Sequence, residues 1–311
     1  MDDRVTQKDT LPNLFLVGAP KCGTTAMSTY LAGHPDVFMS EQSGVKEPNF
    51  FCADFRFTHQ RQSVVAWTDY LELFHPAPGG ARYRGEASTF YILSQQAIPD
   101  ILDSCPDPRF VVMLRNPVDM VVSLHNQKIK NRTETAPLEE AWALQPERRN
   151  GEKLPPRIDD GRFLDYSYAC TLGAHLERLY RYVPRANVHC VFFDEFKDDP
   201  SRAYRGVLKF LSLPDDHRKQ FDVVNKSMQY KHDWIETAVR RLAPLRARAG
   251  LPRMGIHTFV NKFNQKSGKA APSANFLNYL AMHFRDDIEL LARITGRDLG
   301  GWYAKYTNDA A

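Results

Sequence analysis

The chain has 311 residues, 43% of them hydrophobic and 25% charged, with a formal net charge of +4. That length can bury a large α/β core, and the mild charge suits an anionic small ligand while excluding the dense basic surface of a nucleic-acid binder. No apolar run approaches about 18 residues, so no stable membrane insertion is expected. The five cysteines (Cys22, Cys52, Cys105, Cys170, Cys190) form no CxxC pair. Neither a zinc site nor a disulfide framework is expected, and a reduced, cytoplasmic setting is the simpler reading.

In chain order, residues 1–10 read as a polar, flexible tail. Leu14–Gly18 is a short apolar run of the kind that forms a buried parallel strand. It breaks at Gly18-Ala-Pro-Lys-Cys-Gly-Thr-Thr25, and Met27, Tyr30 and Leu31 continue at helical spacing up to Gly33-His-Pro35. A second strand, Phe110–Leu114, ends at Arg115-Asn-Pro117, and a helix carries Val118, Val121, Val122 and His125. The charged, proline-rich stretch 131–165 reads as a surface excursion. A helix over Leu172–Tyr182 precedes a third strand, Val188–Phe193. Lys262–Pro272 is a polar loop, and Phe276–Thr295 reads as one helix stopped by Gly296. Strand, turn and helix recur in the order of βαβ units, so the expected fold is α/β. One domain over 11–306 is expected, its central parallel sheet flanked by helices in a P-loop NTPase-like arrangement.

The turn after the first strand has the chemistry of an anion cradle. Glycines let backbone N–H groups turn towards a phosphate, the helix N-terminus adds partial positive charge, and Lys21 supplies a full one. Thr24 and Thr25 offer hydroxyl donors. The order departs from the usual P-loop, in which the lysine directly follows the second glycine; here Lys21 precedes Gly23 by two positions.

Pro-Lys-x-Gly-Thr-Thr resembles the 5′-phosphosulfate loop of sulfotransferases that use 3′-phosphoadenosine-5′-phosphosulfate (PAPS). Lys46-Glu-Pro-Asn-Phe-Phe51 resembles the Lys-Glu-Pro-His-Phe-Phe segment of the glycosaminoglycan and bacterial branch of that family. Gly85-Glu-Ala-Ser88 is similar to its Gly-Glu-x-Ser segment, and Arg115-Asn-Pro-x5-Ser123 to its 3′-phosphate motif. Leu290–Trp302 resembles its C-terminal helix and terminal tryptophan, so the likeness runs from about Leu14 to Trp302. Two positions depart: Asn49 stands where the family usually shows His, and Cys22 where small polar residues are common. Lys266 and Lys269 match the family's cofactor-covering loop loosely.

The resemblance implies sulfuryl transfer from PAPS to a hydroxyl or amine of a saccharide, lipid or small metabolite, giving PAP, with no metal required. Lys21, Cys22, Gly23, Thr24, Thr25 and Ala26 would hold the 5′-phosphosulfate, and Arg115 with Ser123 the 3′-phosphate, which an arginine fork suits better than a lysine. Glu47 would be the general base, with His125 as an accessory candidate, and Lys46, Glu86 and Ser88 would line the acceptor side. Beside Lys21 and a helix N-terminus, Cys22 is expected to be a reactive thiol. Alternative readings are an Arg115 that caps a strand end or pairs with Asp119 in place of a phosphate contact, a P-loop kinase or NTPase with Asp194 and Glu195 as metal-binding acids, and an inactive PAP-binding protein. The sequence carries no signal of oligomeric state.

Overall fold

A computed structural model describes residues 11–57, 64–158, 160–222 and 272–307. Lys266 and Lys269 fall outside the described residues. Five parallel strands form one sheet in the order β2-β3-β1-β4-β5. They are β1 (Leu14–Gly18), β2 (Val37–Met39), β3 (Tyr83–Glu86), β4 (Arg109–Leu114) and β5 (Val188–Phe192). Every residue of β1 is buried, as for a central strand covered on both faces. Its neighbour β4 is buried from Phe110 onward.

The chain reverses its direction of travel across the sheet at β1. It first goes to β2 and back to β3 on one side, then to β4 and β5 on the other. In open parallel sheets such a switch point leaves a crevice at the carboxyl ends of the strands. The three segments singled out in sequence all emerge there: residues 19–23 follow β1, Arg115-Asn-Pro117 follows β4, and Glu86-Ala-Ser88 closes β3. Lys46 joins them, because its carbonyl accepts a hydrogen bond from Ala87 N (3.2 Å).

β2 and β3 were not expected. β2 is only Val-Phe-Met, and β3 is Tyr-Arg-Gly-Glu, which lacks an apolar run. Gly85 is required where it stands: a Cβ there would lie 2.8 Å from Met39 Sδ and 2.9 Å from the Leu14 carbonyl oxygen. Two further expectations are corrected. The excursion 131–165 carries the helices Leu138–Ala143 and Gln145–Arg149, pinned by a buried Arg148–Glu134 pair at 2.6 Å. Phe276–Thr295 is two helices, Ala274–His283 and Arg285–Thr295. Between them Phe284 is fully buried, edge-on to Trp142 at 6.0 Å, and this anchor sets the break. Gly296 ends the second helix in the left-handed conformation (φ 67°), as expected.

Candidate active site

The loop after β1 is built around two left-handed residues, Lys21 (φ 70°) and Gly23 (φ 90°). Cys22 N donates to the Ala19 carbonyl at 3.2 Å and closes the turn. Helix Thr24–Ala32 starts directly after Gly23, whose carbonyl accepts from Ala26 N (3.1 Å) and Met27 N (3.2 Å). A Cβ on Gly23 would sit 3.1 Å from the Phe193 ring and 3.2 Å from Phe196. The positive φ therefore favours glycine, and the two rings leave only tight room for a Cβ. Lys21 Nζ donates to Gln127 Oε1 at 3.1 Å. The sequence reading missed Gln127, although it lies four residues after Ser123 on helix Pro117–Lys130 and hence on the same face.

Arg115 comes to the same loop from β4. Its Nη1 donates to the Lys21 carbonyl at 2.8 Å, and its guanidinium carbon lies 4.6 Å from the Phe193 ring centroid. The expected alternative, a pair with Asp119, is not formed. Asp119 instead accepts from Tyr306 (2.8 Å) and Lys305 (3.3 Å) on the C-terminal helix Gly300–Thr307. Asn116 caps helix Pro117–Lys130 by accepting from Val118 N, and its Nδ2 donates to the Trp302 carbonyl at 2.8 Å. The terminal tryptophan is thus tied to the β4 motif.

On the other side of β1, Glu47 is half-buried. Its Oε1 lies 2.7 Å from Lys46 Nζ, and Thr89 Oγ1 donates to its Oε2 at 3.3 Å. Its backbone is held from below: Asn49 Nδ2 donates to the Glu47 carbonyl (3.1 Å), and Asn49 N donates to Ser88 Oγ (2.9 Å). Asn49 sits at φ 52°, a conformation that asparagine tolerates better than most residues.

Three expected site residues stand elsewhere. Glu86 and Ser88 are fully buried and do not line the cleft with their side chains. Glu86 Oε1 accepts from Tyr70 (2.8 Å) and Tyr91 (2.6 Å), and its Oε2 accepts from Ser88 N (3.1 Å). They are the anchor under the Lys46–Phe51 segment. His125 is buried on the inner face of its helix, where its Nε2 meets the Ala136 carbonyl at 2.9 Å and burial lowers its pKa. Residues two apart on a helix do not share a face, so Ser123 and His125 diverge.

Cys22 is also corrected. Its thiol is fully buried, 3.9 Å from Met120 Sδ, and burial pushes its pKa up to about 12. The nearby charges of Arg115 and Lys21 lower it only in part. Desolvation outweighs the cationic neighbours, and no reactive thiolate forms. Asp194 and Glu195 belong to the short helix Phe193–Asp198, with Glu195 paired to Arg297 at 2.8 Å.

A family model described as the sulfotransferase domain matches residues 11–240. The chain belongs to the sulfotransferase family. Among curated relatives of this sulfotransferase, mouse heparan sulfate glucosamine 3-O-sulfotransferase 3B1 is 26% identical over 207 residues, 65% of this chain and 46% of the relative. Mouse heparan sulfate glucosamine 3-O-sulfotransferase 6 is 28% identical over 208 residues, 65% of this chain and 52% of the relative. The chain spans about half the length of these curated relatives. A solved sulfotransferase from Alicyclobacillus acidocaldarius shares the fold, with a TM-score of 0.69 and 24% identity, covering 94% of this chain and 98% of that one. No helix among the described residues is long and apolar enough to cross a membrane.

The Glu86 anchor has a measurable signature. Burial raises its carboxyl to about 7 from an ordinary 4.5, and the hydrogen bonds from Ser88, Tyr91 and Tyr70 offset this only in part. With the folded value above the unfolded one, the fold binds more protons between those limits, and Glu86 costs stability as pH rises through that window. The cost above it is roughly 3 kcal/mol. Relative to the parent, Glu86→Gln should therefore gain stability steadily between about pH 4.5 and about pH 7 in denaturant titrations, and level off above that. A parent-to-variant difference that is flat with pH would mean that the fold leaves the Glu86 carboxyl at its unfolded pKa, and that burial does not raise it.

Proposed function

We propose that this sulfotransferase moves the sulfuryl group of PAPS to a hydroxyl of a carbohydrate acceptor, releasing PAP. The observation that carries the reading is the joining of Lys21 and Arg115 at the carboxyl ends of adjacent parallel strands. One phosphate cradle and one arginine fork share a single crevice there. The cradle fits a 5′-phosphosulfate: it offers a glycine at φ 90°, the N-terminus of a helix, and a lysine. The carbohydrate is favoured because the curated relatives are named for glucosamine sulfation.

When bound, PAPS supplies a sulfuryl group joined to its 5′-phosphate. The chain's own residues would then act by placement and charge. Gly23, Thr24, Thr25 and Ala26 face the 5′-phosphate through the loop and helix start. Arg115 and Ser123 grip the 3′-phosphate. Glu47 takes the proton that the acceptor hydroxyl loses as its oxygen bonds to sulfur, and Lys46 holds the Glu47 carboxylate in place. Lys21 neutralises the charge left on the phosphate oxygen as the sulfur–oxygen bond breaks. Residues 11–306 would form one catalytic domain. All five cysteines are free thiols, which supports a reducing, cytoplasmic setting.

The test is turnover of labelled PAPS with a panel of saccharide, lipid and phenolic acceptors, read by mass spectrometry with and without EDTA. Sulfation of a saccharide hydroxyl that survives EDTA is the expected result. Sulfation confined to lipids or phenols would overturn the acceptor class, and consumption of ATP in place of PAPS would overturn the reaction.

A further inference from the structure

We infer that Arg115 couples the two phosphate sites: one edge of its guanidinium holds the loop that carries Lys21, while its remaining N–H groups receive the 3′-phosphate. The inference rests on the proposed PAPS site and adds to it a link between the two ends of the nucleotide.

Lys21 is held in the left-handed region (φ 70°), which is unfavourable for any residue with a Cβ. Such a conformation persists only where its surroundings impose it. Two hydrogen bonds do so here. Cys22 N closes the turn on the Ala19 carbonyl, and Arg115 Nη1 donates to the carbonyl of Lys21 itself at 2.8 Å. The second is charge-assisted and crosses from β4 to the β1 loop, 94 residues away.

The guanidinium is also held in place. Its carbon lies 4.6 Å from the centroid of Phe193, the first residue after β5. The same ring lies 3.1 Å from where a Gly23 Cβ would be. Phe193 therefore touches both the arginine and the second left-handed residue of the loop. Arginine carries five N–H donors in a fixed plane, and the bond to Lys21 uses one. An anion received by the others fixes the plane, and the plane fixes the Lys21 carbonyl.

Coupling of this kind is reciprocal: a 3′-phosphate that orders the loop makes the loop a better 5′-phosphate site, and the reverse. Arg115 should therefore matter to a nucleotide that has no 3′-phosphate at all. An arginine that serves the 3′-phosphate alone would not.

The experiment is calorimetry of PAP and of adenosine 5′-monophosphate on the parent, Arg115→Ala and Phe193→Leu proteins, with thermal melts to confirm folding. Arg115→Ala should weaken PAP by roughly tenfold or more. It should also weaken adenosine monophosphate, by a smaller factor of about fivefold. Phe193→Leu keeps the arginine's charge but loosens its seat, and should weaken both ligands. If Arg115→Ala and Phe193→Leu leave adenosine monophosphate binding unchanged while PAP binding falls, the coupling is wrong and the PAPS site stands. If Arg115→Ala costs both ligands the same factor, Arg115 only braces the loop, and the coupling is wrong in the other direction. A parent protein with no preference for PAP over adenosine monophosphate would overturn the PAPS reading itself.

Discussion

Glu47→Gln should lower kcat about 10²–10⁴-fold, the usual contribution of a positioned general base, while PAP affinity stays within about twofold. Glutamine keeps the size of the side chain and can still accept from Thr89, whose Oγ1 lies 3.3 Å from Glu47 Oε2. The backbone under it does not depend on the carboxylate. Asn49 Nδ2 holds the Glu47 carbonyl, Ser88 Oγ holds Asn49 N, and Ala87 N holds the Lys46 carbonyl. What glutamine cannot do is take a proton. Near-normal turnover in this variant, with intact PAP binding, would remove Glu47 as the base. His125→Ala is the matched control. Its ring is buried against Tyr166 with its Nε2 on the Ala136 carbonyl, so the expected loss is in stability and not in kcat. A dead but folded His125→Ala protein would reverse that assignment.

Much of this site was legible in the sequence because its parts are local. An apolar run can be read residue by residue, and β1, β4 and β5 all announce themselves in that way; the glycine-and-lysine turn after β1 is equally local. β2 and β3 do not: three apolar residues, or a tyrosine, an arginine, a glycine and a glutamate, carry no periodicity long enough to mark a strand. Their pairing is decided by the partner strand, and Gly85 makes sense only once Leu14 and Met39 lie against it. Glu86 shows the same limit at the level of one side chain. Its place in a Gly-Glu-x-Ser segment points to the crevice, yet Tyr70, sixteen residues before it, and Tyr91, five after, enclose it. Cys22 fails for an energetic reason. Its charged neighbours can be read from the chain, but the desolvation that outweighs them depends on Met120 and the packed core around it. Gln127 was within reach, since an i, i+4 step from Ser123 leads to it.

Lys21→Ala should behave differently from Glu47→Gln, damaging affinity and turnover together. The substitution retains a Cβ, so the left-handed strain at φ 70° is common to both proteins and cancels from the comparison. The backbone contact from Arg115 to the residue 21 carbonyl also survives, because it does not use the side chain. The difference therefore isolates the ammonium group. Its loss should weaken PAP by about tenfold, the worth of one charge-assisted contact. It should also lower kcat at saturating PAPS by a further 10²–10³-fold or so, since charge on the leaving phosphate grows in the transition state. Calorimetry and saturation kinetics separate the two effects. A variant that binds PAP poorly but reaches the parent's kcat when saturated would show that Lys21 binds ground state and transition state equally. The neutralisation of the leaving group would then fall to another cation in the crevice, with Lys46 the first to test.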